Sequence, residues 1–131
     1  MSGSRLLLDS NIAIYLSKRE LLLSDFAQSG DTLYVSLITY MEVIGYKFMD
    51  AAEESFTIEL FNSLEQLPIT QAVADRVVEY RKVRKVKLPD AIILATAREN
   101  GCQLITRNVE DFVDLDNQVT IVNPYKSERN S

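Results

Sequence analysis

Leu6-Leu7-Leu8-Asp9-Ser10-Asn11 decides how this chain is read. A strand sends alternate side chains to the two faces of its sheet, so three consecutive leucines describe a strand buried on both faces. The carboxylate of Asp9 falls where that strand ends. Ser10 or Asn11 then stands ready to cap the apolar run Ile12-Ala13-Ile14-Tyr15-Leu16 as a helix. In open α/β sheets ligands bind beyond the carboxyl ends of the strands, so a charge in that position is a stronger functional lead than a surface charge run.

Composition narrows the chemistry that such an edge can perform. With 131 residues, 47% apolar and 25% charged, the chain is long enough for one domain over residues 1–131, with a frayed polar tail expected from about residue 126. No uncharged apolar run is long enough for a bilayer, and Asp9 interrupts the N-terminal stretch before a signal-peptide core can form, so a cytoplasmic protein without a membrane partner is expected. The single cysteine, Cys102, permits no internal disulfide and reads as a buried thiol at the start of a strand. The chain contains no histidine, which excludes His-based zinc sites, dyads and triads. Acid–base or metal chemistry here must rest on carboxylates, and an oxygen-donor site suits magnesium or manganese rather than zinc. The net charge of -5 disfavours nucleic-acid binding by the whole surface but permits a local basic patch.

Thr32-Leu33-Tyr34-Val35-Ser36 is the second strand, and Ser36 or Thr39 can cap the helix that runs from Ile38 to Tyr46, with Glu42 near its first turns. Between the first helix and this strand, Leu21 to Ala27 reads as a short helical piece, with Leu16, Leu23 and Phe26 on one face. A further helix is expected from Met49 to Leu67, burying Ala51, Ala52, Phe56, Leu60, Leu64 and Leu67. Leu67-Pro68-Ile69 is a short strand or the approach to the next helix, which Thr70 can cap. Arg76, Arg81, Lys82, Arg84, Lys85 and Lys87 then form a basic segment, either a solvated helix end or a surface for phosphates.

Leu88-Pro89-Asp90-Ala91-Ile92-Ile93-Leu94-Ala95-Thr96-Ala97 is a nearly all-apolar central helix, with Pro89 and Asp90 in its first turn and Gly101 as its stop. Gln103 to Thr106 is the next strand. Arg107-Asn108-Val109-Glu110-Asp111-Phe112 forms a loop or short turn at its carboxyl end, and Val119 to Val122 is the last strand. This order predicts an α/β fold, a three-layer α/β/α sandwich around a mainly parallel sheet. Asp9, Glu42, Asp90 and the Asn108–Asp111 turn then converge on one edge, where a divalent cation removes the repulsion among ionised carboxylates. Glu110 reads as solvent-facing.

The four blocks around Asp9, Glu42, Asp90 and Thr106–Phe112, taken in this order and at this length, resemble a PIN-domain ribonuclease. The resemblance is nearest to the VapC-type toxins of bacterial toxin–antitoxin pairs, and it covers almost the whole chain. It implies a homodimer that cleaves RNA with magnesium or manganese. It also implies a small cognate antitoxin that silences the nuclease and carries the complex to operator DNA. Residue by residue, it makes Asp9, Glu42 and Asp90 the first three metal-binding acids. Asn108 stands where the family commonly has a fourth acid, so Asn108 or Asp111 completes the set. Asn11 and Thr106 match polar supports of the first acid and of water, with Ser36 near the same edge, and Arg107 either touches phosphate or locks a carboxylate.

The expected reaction is metal-assisted phosphodiester hydrolysis by in-line attack, leaving a 5′ phosphate unless the 2′ hydroxyl attacks. A housekeeping RNA-processing nuclease shares this chemistry, and a weakened PIN-fold binding protein is the non-enzymatic alternative that Asn108 raises. A receiver domain or a haloacid-dehalogenase-like phosphatase would need acids and a lysine that are missing here: position 11 is Asn, and no lysine follows the last strand before Lys126.

Overall fold

Leu6, Leu7 and Leu8 are all buried, Leu7 on one face of a sheet and Leu6 and Leu8 on the other. They belong to β1 (Arg5–Leu8) of a computed structural model that describes residues 3–125; the tail expected to fray lies outside the described residues. Five strands run parallel in the order β3-β2-β1-β4-β5, with β2 (Thr32–Ser36), β3 (Glu65–Leu67), β4 (Gln103–Ile105) and β5 (Ile121–Val122). A parallel sheet needs both faces covered. Leu6, Leu8, Val35 and Ile105 pack with Ile12, Ala13 and Leu16 of α1 (Ser10–Ser17), Val43 of α2 (Leu37–Ile44) and Phe61 of α3 (Ala51–Asn62). Leu7, Tyr34 and Leu104 pack against α4 (Gln71–Val83), α5 (Leu88–Glu99) and Phe112 of the single-turn α6 (Val109–Phe112). The expected three-layer α/β sandwich is the observed one, with every strand pair parallel.

The strand order fixes where a site can lie. The chain goes from β1 to β2 and β3 in one direction, then crosses to the opposite face through α4 and α5 and returns as β4 on the other side of β1. The sheet therefore has its topological switch point between β1 and β4, and the crevice at their carboxyl ends is the natural ligand site. The β1–β4 ladder extends one residue past β1, through Asp9 N–H donating to the Ile105 carbonyl at 3.0 Å. Asp9 and Thr106 thus face each other at the switch.

Several local expectations are corrected. Asp9 itself, rather than Ser10 or Asn11, is the N-cap of α1, and it accepts from the Ser10 N–H. The helix expected from Met49 to Leu67 ends at Asn62, and Glu65–Leu67 pairs with β2 as a strand. Glu, Gln and Leu favour helix, yet an open sheet edge beside Tyr34–Ser36 overrides that weak preference. The inward positions of α3 are Thr57 and Phe61, while Ala51 and Ala52 are exposed and Phe56 and Leu60 only half-buried. Leu23 is exposed in a short 3-10 turn (Leu23–Asp25), and Leu21 takes the core position instead. The last strand is shorter than expected. Gly101, at φ +64°, ends α5 in the left-handed conformation that glycine adopts at low cost.

A polar knot secures α4 and α5 on their side of the sheet. Asp116, buried, accepts hydrogen bonds from the Tyr80 hydroxyl, from Arg98 Nη1 at 2.7 Å and from the Gln118 N–H at 3.0 Å. Burial alone pushes its carboxyl up, but the three donors and the Arg98 charge together hold it below the ordinary value. The same burial and the neighbouring carboxylate push the Tyr80 hydroxyl well up. A depressed carboxyl contributes stability above its unfolded value of about 4 and loses that contribution as pH falls through the folded value. Asp116→Asn is accordingly expected to cost about 2 kcal/mol of unfolding free energy at pH 7 by urea titration. The gap to the native protein should narrow below about pH 4; a gap that stays constant with pH contradicts the charged network.

Candidate active site

Asp9 is only 5% exposed, at the end of β1, and its two oxygens are held separately. Oδ1 accepts from the Ser10 N–H at 2.8 Å, and Oδ2 accepts from the Thr106 hydroxyl at 2.7 Å. Thr106 Oγ1 in turn accepts the Asn108 N–H at 3.0 Å, so one buried hydroxyl ties the first acid to the turn that carries Asn108 and Asp111. Asp90 lies half-buried in the first turn of α5, behind Pro89. Glu42 and Asp111 project from α2 and α6 with exposed side chains.

These residues share one cleft. Asp9, Ser10, Asn11, Glu42, Lys87, Pro89, Asp90, Ile93, Asn108 and Asp111 line a cavity of about 250 Å³ at the carboxyl edge of the sheet. Burial pushes the Asp9 carboxyl up; the Thr106 and Ser10 donors pull it down, and the charges of Glu42 and Asp111 push it up again. Asp90 is also raised, by burial first and then by Asp9 and Asp111, against the lowering effect of Lys87. Two carboxyls raised partly by one another's neighbours are a concentrated negative field, and a hard cation is the species that relieves it.

The donor set fits magnesium or manganese in its chemistry: carboxylate and amide oxygens, with no imidazole or thiolate in the cleft. Among the described residues the side chains are not drawn together around one point, and no group of three acids or thiols stands close enough to share an ion. The geometry shows why. Glu42 Oε1 accepts from the Ser10 hydroxyl at 2.8 Å, and Ser10 Oγ lies 2.9 Å from Thr39 Oγ1. Since Ser10 spends its one proton on Glu42, the buried Thr39 hydroxyl is the donor in that second bond. Asp9 is held through both oxygens and Glu42 through Ser10, while the side chains of Glu42 and Asp111 are exposed.

The remaining expected residues separate by position. Asn11 lines the cleft and Thr106 lies beneath it on Asp9. The Ser36 hydroxyl is fully buried as the N-cap of α2, accepting from the Ile38 N–H at 3.2 Å, and does not line the cleft. Arg107 lines the adjoining cleft with Asn108, Glu110, Asp111 and Asn123, and its guanidinium lies 4.5 Å over the Tyr125 ring. Glu110 is exposed. Sequence reasoning missed Ser10 as the support of Glu42, and Lys87 as a cleft residue beside Asp90. It also missed Arg84, which donates to the carbonyls of Asp111 at 2.9 Å and Val113 at 3.0 Å and so fixes α6. Adjacency to Asp9 was the one signal available for Ser10; Arg84 left none, because its partners are backbone atoms 27 and 29 residues away.

A PIN domain family model matches residues 6–118. Among solved structures, a toxin–antitoxin complex from Klebsiella pneumoniae contains a chain 36% identical to this one, covering 92% of this chain and 98% of that chain with a TM-score of 0.70. VapBC2 from Rickettsia felis, bound to a DNA fragment from its promoter, shares the fold at 18% identity and TM-score 0.73, over 91% of this chain and 98% of that one. VapBC-1 from nontypeable Haemophilus influenzae does so at 22% identity and TM-score 0.73, over 92% and 98%. None of the curated proteins matches significantly.

Thr106→Val removes the buried donor to Asp9 while keeping its shape. The variant is expected to lose about 1.5–3 kcal/mol of stability at neutral pH, the range for a hydrogen bond to a charged group. Because that bond favours ionised Asp9, the deficit should shrink on acidification as Asp9 takes its proton. Urea titrations at both pH values check this, and equal stability at neutral pH contradicts it.

Proposed function

We propose that this chain, which belongs to the PIN-domain family, is a divalent-metal-dependent endoribonuclease and the toxin of a toxin–antitoxin pair. The observation that carries the reading is the single cleft at the sheet's switch point. Asp9, Glu42, Asp90, Asn108 and Asp111 reach it from four separate parts of the chain. A magnesium or manganese ion held there supplies Lewis-acid activation of water and of the phosphoryl group, and offsets the charge that develops on the phosphate oxygens.

The protein's own part is placement. Asp9, fixed through both oxygens, and Asp90, at the start of a buried helix, are the principal donors. Glu42 and Asp111 complete the set by rotating inward, and Asn108 contributes a neutral amide oxygen. No histidine exists in the chain, so deprotonation of the attacking water would fall to one of these carboxylates or to the effect of the metal. Attack by water rather than by the 2′ hydroxyl leaves a 5′ phosphate and a 3′ hydroxyl.

A small antitoxin is the proposed protein partner, because the similar chain from Klebsiella pneumoniae was solved in a toxin–antitoxin complex. Contact with operator DNA then runs through that antitoxin, and a homodimer is the proposed assembly. No described helix is long and apolar enough to cross a membrane.

The test is cleavage of a mixed cellular RNA pool by purified, inhibitor-free protein with manganese, with magnesium and with chelator, alongside Asp90→Asn. Discrete products bearing 5′ phosphates are expected with either ion. They should be absent with chelator and reduced by more than about 100-fold in the variant, beyond the range for losing a residue that only supports a metal ligand. Absence of cleavage by folded protein under both ions overturns the nuclease reading, and cleavage that survives Asp90→Asn overturns the assigned site.

A further inference from the structure

The basic segment from Arg76 to Lys87 divides into two sets once its partners are known. Arg76 pairs with Glu99, and Arg84 is spent on the backbone of α6. The side chains of Arg81, Lys85 and Lys87 are exposed and make no hydrogen bond or ion pair among the described residues. With Val86, Leu88 and Pro89 they line an open groove of about 760 Å³. That groove runs directly into the acidic cleft: Lys87, Pro89, Asp90 and Asp111 line both.

Two other depressions share residues with the cleft: one of about 310 Å³ carries Arg107 beside the acids Glu110 and Asp111, and one of about 290 Å³, meeting the cleft at Glu42, carries Lys18 beside Glu53. Each of these carries a single cation, against three in the groove. A polyanion drawn toward an acidic cleft on a protein of net charge -5 needs a local attraction, and the groove supplies the largest cluster of cations beside the cleft.

We propose that Arg81, Lys85 and Lys87 form the groove for the phosphate backbone of the RNA strand beside the scissile bond. This deepens the ribonuclease reading and rests on it. The contacts are to phosphates, so they position the strand without reading its sequence. Lys87, at the junction, sits where the phosphate next to the cut would lie, while Arg81 and Lys85 line the groove beyond it. Neutralising the three should weaken binding uniformly across sequences and reduce its salt dependence.

The experiment compares the native protein with Arg81→Gln/Lys85→Gln/Lys87→Gln, using a fluorescein-labelled 12-nucleotide RNA of mixed sequence. Anisotropy is read in chelator, which bars cleavage, over a series of salt concentrations. A charge-matched control, Lys18→Gln/Lys47→Gln/Lys82→Gln, removes three cations that line no part of this groove. At about 0.7 of slope per phosphate contact on a single strand, the groove variant should lower the slope of log K against log salt by about 2. The control should leave the slope within error.

An unchanged slope in the groove variant overturns the proposal. So does an equal fall in the control, or a native protein that binds no RNA at low salt. RNA binding through these residues by a protein that cuts nothing under either metal defeats the nuclease reading alone and leaves the groove standing. With the RNA that the cleavage assay identifies, the groove variant should raise KM and leave kcat nearly unchanged, as expected for loss of uniform binding. A fall in kcat at constant KM contradicts the groove and assigns these cations to the chemical step.

Discussion

The hydrogen bond from the Thr106 hydroxyl to the Asp9 carboxylate joins the ends of two neighbouring strands at the point where the sheet reverses its winding. Everything at the acidic edge is placed with respect to it. It holds one oxygen of Asp9 while the Ser10 N–H holds the other, so the first acid has one orientation. The same hydroxyl accepts the Asn108 N–H and thereby sets the start of the turn that delivers Asp111. A buried carboxylate without such donors would be forced toward its neutral form. With them the upward push of burial is partly offset.

The edge is costly to assemble, and the rest of the fold offsets that cost. Burial and the surrounding acids raise both Asp9 and Asp90 above their ordinary values, so ionising the cleft is unfavourable by itself. The compensation lies elsewhere. Leucines of β1 are buried on both faces, α5 is buried from Ala91 to Ala97, and Asp116 draws together Tyr80, Arg98 and the Gln118 backbone. These features secure the two elements that frame the groove, α4 and α5, independently of the acids.

Much of this was legible in the sequence because it depends on local rules. Leu6–Leu8 could only be a doubly covered strand, and Pro89-Asp90 before an apolar run could only begin a buried helix. Parallel topology then brought Asp9, Glu42, Asp90 and Asp111 to one edge without any contact being known. What could not be read depends on tertiary competition. The segment Glu65–Leu67 left its helix because β2 offered an unpaired edge, and α3 turned so that Thr57 and Phe61, rather than its alanines, faced inward. Ser36 was close to the acids in the chain but is consumed as a cap. The basic run after Arg76 read as one undivided feature. Only the pairing of Arg76 with Glu99 and of Arg84 with α6 separates the cations that hold the fold from those that line the groove.

The central claim is that this edge gathers a divalent cation, with Asp9 and Asp90 as its fixed donors. A crystal grown with manganese tests it most directly, because anomalous scattering locates the ion without reference to any assumed chemistry. The account predicts one strong anomalous peak in the cleft, about 2.0–2.2 Å from carboxylate oxygens of Asp9 and Asp90, with Glu42 or Asp111 rotated toward it. A cleft without a peak at saturating manganese, or a peak lying only at other acids such as Asp114 or Asp116, would contradict it.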